Sequence, residues 1–335
     1  MTTPDLYPAV LRLAQQTQAF SPADLEQPWA WGPHDEGVRF ALLGTYQELQ
    51  QCAVEIRAER ADAGRAATPA QHILAQYHAT FRDLEAVLLG ANVEALDVRP
   101  GPGEWPLRRV LGHIIAAERV FFSLVADAVQ RVRGNEERSP ALPDDAVERI
   151  AGPSTEFEAV LASGRLPDIW AYYAALHDRA LDEFAGITDA ELDAPSLWWE
   201  ALNLPVRHRL HRFTAHLIQH TIQVEKTLAA IGRPATEAQM LLRRVFQALA
   251  EAEGGLIGAP ETGRAARVAL AEIINERTAA VGQRVGQARA LLATIAAEDQ
   301  AQIRALLAET PVLGEVVGEN RLTLVLNAAY QHKPE

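Results

Sequence analysis

The chain has 335 residues, 48% of them hydrophobic and only 6% aromatic, with a formal net charge of −13. That is enough apolar material for a sizeable core in two average domains or one enlarged one, while the acidic balance argues against phosphate backbones and anionic lipid as partners. One cysteine, Cys52, excludes an intramolecular disulfide. Without a basic-then-apolar leader or an apolar run of membrane-spanning length, a soluble, cytoplasmic protein is expected.

Alanine and leucine dominate the apolar set, which favours helices over sheet. Apolar residues recur at spacings of three and four almost throughout. Breaks at Pro22 to Asp24, Pro28 to Gly32 and Pro33 precede a helix expected from about Glu36 to Ala61. Asp62 to Thr68 reads as a linker. Thr68 can cap the next helix and Pro69 suits its first position; the apolar stripe is Ala70, Leu74, Tyr77, Phe81, Leu84 and Leu88. Arg99 to Gly103 is a firm break. A second helix is expected from Trp105-Pro106 to about Arg133, then a long connection from Gly134 to Glu156. A third runs from about Pro167 to Gly186, and a loop with the Trp198-Trp199 pair follows. A fourth runs from Pro205 to about Ile231, closed by Gly232-Arg233-Pro234. Beyond 235 the pattern is again helical, with breaks at Gly254-Gly255, Gly258 to Gly263 and Pro311. Leu322, Leu324 and Leu326 alternate like a short strand. The expected fold class is all-α: an N-terminal helical extension (1–66), a four-helix bundle (67–234) and a C-terminal helical region (235–335).

On the fourth helix His216 and His220 are four apart, so they stack one turn from each other beside the apolar face of Leu210, Phe213, Leu217, Val224 and Leu228. That spacing lets two imidazoles share one metal ion, although an isolated H-x-x-x-H more often marks hydrogen-bonded core histidines. On the second helix His113 flanks the face made by Leu107, Val110, Leu111, Ile114, Phe121 and Val125. Three neutral imidazoles on one ion would leave a tetrahedral position open to water or substrate. Glu118 falls inside the apolar face, and a buried carboxylate needs a partner, here a metal-bound imidazole N–H or an arginine. It is a candidate support for a metal ligand; the catalytic group itself is not read from the sequence. His177 points inward and reads as a hydrogen-bonded core residue. His34, His72, His78 and His332 read as solvated or loop histidines. The Trp198-Trp199 pair reads as packing over a bundle end and Cys52 as a small apolar residue. No phosphate-binding glycine loop, CxxC pair or nucleophile elbow is present.

Taken in order, these pieces resemble the DinB-like (DinB/YfiT) superfamily of metal-binding four-helix bundles over residues 70–231. The likeness rests on Glu104-Trp105 before a helix that carries His113 eight residues after the tryptophan, the long connection between second and third helices, and His216 and His220 followed by Gln223. Pro106 stands where that family often has serine or threonine. Trp31 to Phe40 is similar to the leading segment of some longer members, where it belongs to added helices. The resemblance implies that His113, His216 and His220 bind a divalent metal ion, with zinc or nickel expected. Some members resemble transferases or isomerases that use bacillithiol, mycothiol or glutathione, and others look like metal-dependent hydrolases. The expectation is therefore a metal-dependent thiol S-transferase acting on a small molecule, with a low-molecular-weight thiol as co-substrate. The alternatives are a metal-dependent hydrolase or a non-catalytic, metal-stabilised binding or assembly module. Nucleic acid and membranes are not expected as partners; a homodimer is compatible with the reading.

Overall fold

In a computed structural model the structure describes residues 5–309 apart from 33, 92, 138 and 298. Helices α1 (Leu6–Thr17), α2 (Pro22–Leu25), α3 (Val38–Asp62) and α4 (Pro69–Leu88) are followed by a 3-10 turn at Val93–Asp97. Next come α5 (Leu107–Arg133), α6 (Ala146–Ala151), α7 (Ser154–Ser163), α8 (Leu166–Phe184) and α9 (Asp189–Leu192). Strands β1 (Pro195–Ser196) and β2 (Leu204–Pro205) form a short antiparallel pair, and α10 (Val206–Ala230), α11 (Glu237–Gly254), α12 (Arg264–Ala296) and α13 (Gln300–Glu309) complete the described chain. The fold is all-α. Among the described residues no helix is long and apolar enough to cross a membrane. Pro33, Pro311, His332 and the alternating leucines at 322–326 lie outside the described residues.

The chain divides into two compact units. One comprises Met1–Cys52, Thr236–Leu249 and Arg264–Glu335; the other comprises Ala53–Ala235 and Ala250–Gly263. In the first, α1 packs along α12, whose Leu270, Ile274, Val281 and Val285 are buried. Arg277 of α12 is nearly inaccessible, and its guanidinium donates to Thr45 Oγ1 at 2.8 Å and to both Glu48 carboxylate oxygens at 2.7 Å. Both acceptors lie on α3, so a buried charge is paired within the unit.

The second unit contains the bundle of α4, α5, α8 and α10. Helix α4 starts where Thr68 and Gln71 form a reciprocal capping box, with Pro69 at the first helical position. Helices α10 and α8 each pack against both α4 and α5. Tyr77 and Phe81 of α4, Ile114, Phe121 and Phe122 of α5, Tyr173 of α8, and Phe213 and Leu217 of α10 meet in the core. The amphipathic stripes read from the sequence are thus the faces that close on one another.

The stretch from Gly134 to Glu156, expected as a connection, is partly helical: it contains α6 and the first turn of α7. Short turns between Pro143, Gly152 and Pro153 conceal the helical spacing, yet Ala146, Ile150 and Phe157 are buried against the bundle. Arg119 of α5 ties this segment down through the carbonyls of Ala151 (3.2 Å) and Gly152 (2.6 Å), and also donates to the Tyr172 hydroxyl (2.6 Å).

Candidate metal centre

The second and fourth bundle helices bring His113, His216 and His220 together. One ring nitrogen from each lies within 4.8 Å of the others. His216 Nε2 is 3.2 Å from His113 Nε2, and the ring centroids are separated by 4.4–5.1 Å. Two imidazole nitrogens, each about 2.0–2.1 Å from one tetrahedral zinc, stand roughly 3.3 Å apart, so this spacing fits a shared ion. His216 and His220 are buried, while His113 is only partly covered and opens the cluster to one side. His216 Nδ1 is inaccessible and has no hydrogen-bond partner. Burial, together with the neighbouring His220 and His113, pushes His216 down to about 3, and burial with His220 also lowers His113. Both are therefore neutral near pH 7, with lone pairs available to a cation. Among the described residues no further Cys, His, Asp or Glu joins the group.

Neighbouring side chains fix these rings. His220 Nδ1–H donates to Gln223 Oε1 at 2.8 Å, which leaves the Nε2 lone pair available to a cation. Trp105 stands edge-on to His113 with centroids 5.5 Å apart, and the Arg109 guanidinium lies over that tryptophan at 4.4 Å. Phe121 is edge-on to both His216 (5.4 Å) and Trp198 (6.3 Å). Trp198 packs on the core as expected, whereas Trp199 is 73% exposed. The pair of β1 and β2 closes this loop, and buried Arg209 holds it by donating to Ser196 Oγ at 2.9 Å and to the Glu200 carboxylate. Beside the triad a groove of about 450 Å³ runs along α10, with Gln223 in its wall.

Glu118 does not reach an imidazole or an arginine, contrary to the sequence expectation. It is fully buried and accepts from the hydroxyls of Tyr77 and Tyr173, the latter at 2.8 Å. Burial pushes its carboxyl up to about 8 against the pull of those two donors. Its role is in the core. His177 is buried as expected, stacked on Phe81 at 3.8 Å. His78, expected in solvent, is buried instead: its Nδ1 is 2.9 Å from His177 Nε2 and its Nε2 2.8 Å from Glu253. Burial raises Glu253, but Arg82 and His78 overcome that and hold it at about 2. The acidic partner of His78, 175 residues away, carried no local signal. His34 and His72 are exposed as read, and Cys52 is a buried thiol outside any disulfide.

No curated protein and no solved structure shows significant similarity to the chain. A family model of the DinB superfamily matches residues 76–224, a span that runs from α4 into α10 and includes all three clustered histidines. Over this bundle the match supports a DinB-like assignment.

Proposed function

We propose that His113, His216 and His220 hold a divalent metal ion and that the protein is a metal-dependent thiol S-transferase acting on a small molecule. The observation that carries this reading is the convergence of three imidazole nitrogens within 4.8 Å, on a side left open by partly covered His113 and bordered by a groove. When bound, a divalent ion supplies Lewis acidity that lowers a thiol's pKa. An exogenous thiol then serves as nucleophile, in keeping with a site whose described residues include no cysteine. Its sulfur forms a bond to an electrophilic carbon of the acceptor; the leaving group departs from that carbon with the bonding pair, and the thiol's proton goes to solvent. His220 is held in register by Gln223, His113 by Trp105, and Phe121 keeps water from the inner side of His216. Zinc and nickel both suit three imidazoles. A net charge of −13 favours small-molecule partners over nucleic acid.

The test is metal analysis of the purified protein beside His216→Ala, followed by turnover of thiol–acceptor pairs against ester and amide substrates. Near-stoichiometric metal in the wild type and its loss in the variant are expected, with turnover only of the thiol pair. Equal metal in both proteins removes the centre. Ester hydrolysis without thiol turnover makes the protein a hydrolase. Metal without either turnover assigns the centre to binding or assembly.

A further inference from the structure

The groove beside the triad has opposite charges on its walls. Lys226 of α10 lines one side, and Glu104, just before α5, lines the other. Lys226 is the only lysine in the described residues, since Lys333 is the chain's other one. Neither Lys226 nor Glu104 forms an ion pair with any described residue, so the two charges share a groove yet stay unpaired. Gln219, Gln223 and Thr227 add hydrogen-bonding groups between them, and Ile222 adds an apolar surface.

This groove adjoins the triad through Gln223. Residues 216, 220, 223, 227 and 230 recur at three- and four-residue spacings and share one face of α10. Gln223 lines the groove and also bonds His220. Glu104 adjoins Trp105, whose ring stands edge-on to His113. Lys226 lies six residues beyond His220, roughly 9 Å along the helix axis at 1.5 Å per residue. A small molecule can therefore hold one end in the groove and place the other at the three nitrogens.

We infer that this groove anchors the zwitterionic aminocarboxylate end of the substrate, with Lys226 taking the carboxylate and Glu104 the ammonium. A purely anionic end would meet Glu104 as a like charge, and a purely cationic end would meet Lys226; only a group with both signs is matched on both walls. The assignment of the substrate's other end to the triad rests on the metal-centre reading, whereas the anchor rests on the groove alone.

The experiment is calorimetric titration of the full-length protein with L-norleucine, hexanoate and hexylamine, with metal content measured on the same samples. Norleucine is expected to bind more tightly than either half-molecule. Lys226→Gln and Glu104→Gln should each weaken norleucine about fivefold, the scale of one solvent-accessible ion pair. Lys226→Gln should not weaken hexylamine, and Glu104→Gln should not weaken hexanoate. Both side chains are exposed, so unchanged melting temperatures are expected and will show that the variants remain folded. Norleucine binding no tighter than both half-molecules, or indifferent to both substitutions, overturns the anchor. If the norleucine pattern holds in samples without metal, the anchor stands and the metal-centre reading falls. If metal is present and the norleucine preference is absent, the centre stands and the anchor falls.

Discussion

At the scale of single residues, the proposed metal site depends on side chains outside the triad itself. Gln223 fixes the orientation of His220 through a 2.8 Å hydrogen bond. Removing such a partner commonly lowers metal affinity by about 10–100-fold, so Gln223→Ala should show that loss in a competition titration with a chelator of known affinity, while Gln223→Glu, which keeps the acceptor, should recover most of it. Glu118 makes a separate prediction about stability. Its carboxyl is raised from 4.5 to about 8 in the folded chain, so between those values the folded state holds a proton that the unfolded state has released. Stability from this residue is complete below pH 4.5 and is lost as pH rises toward 8. Glu118→Gln removes the titration, and denaturant unfolding at several pH values should show the wild type losing stability relative to the variant as pH increases across that window. A constant difference would mean that Glu118 is already ionised in the fold.

At the scale of elements, the bundle helices follow from local chemistry. Thr68 and Gln71 cap α4 reciprocally, and Thr68→Ala should cost about 1 kcal/mol in equilibrium unfolding; Thr68→Ser, which keeps the hydroxyl, should cost much less. The long helices and the candidate triad were legible because both depend on spacing within one helix: His216 and His220 declare a shared side by being four apart, and His113 borders an apolar stripe of its own helix. Other features depend on partners far along the chain. His78 looked solvated because nothing nearby announced Glu253, and Glu118 seemed to need an imidazole or arginine because Tyr77 and Tyr173 were read as core aromatics, without their hydroxyls. Helix α6 escaped notice because six residues between proline and glycine breaks are too few for a period to emerge, and only burial on α5 and the grip of Arg119 reveal them.

At the scale of the whole molecule, the proposed cation, held by three side chains from two separate helices, would stabilise the folded chain, since the unfolded chain cannot assemble the same site. With free metal at about 100 times its dissociation constant the gain is about 2.7 kcal/mol. Thermal unfolding should therefore move to lower temperature on chelation of the wild type, while His216→Ala should melt at the same temperature with or without chelator. Gln223 carries a consequence of its own, because one side chain both steadies a ligating ring and forms part of the groove wall. The two equilibria it touches are thermodynamically linked: whatever factor an occupant of the groove imposes on the ion's affinity, the ion must impose on the occupant's. A chain assayed without its substrate then reports only one corner of that cycle, and titrations run in the two orders must close on the same total free energy.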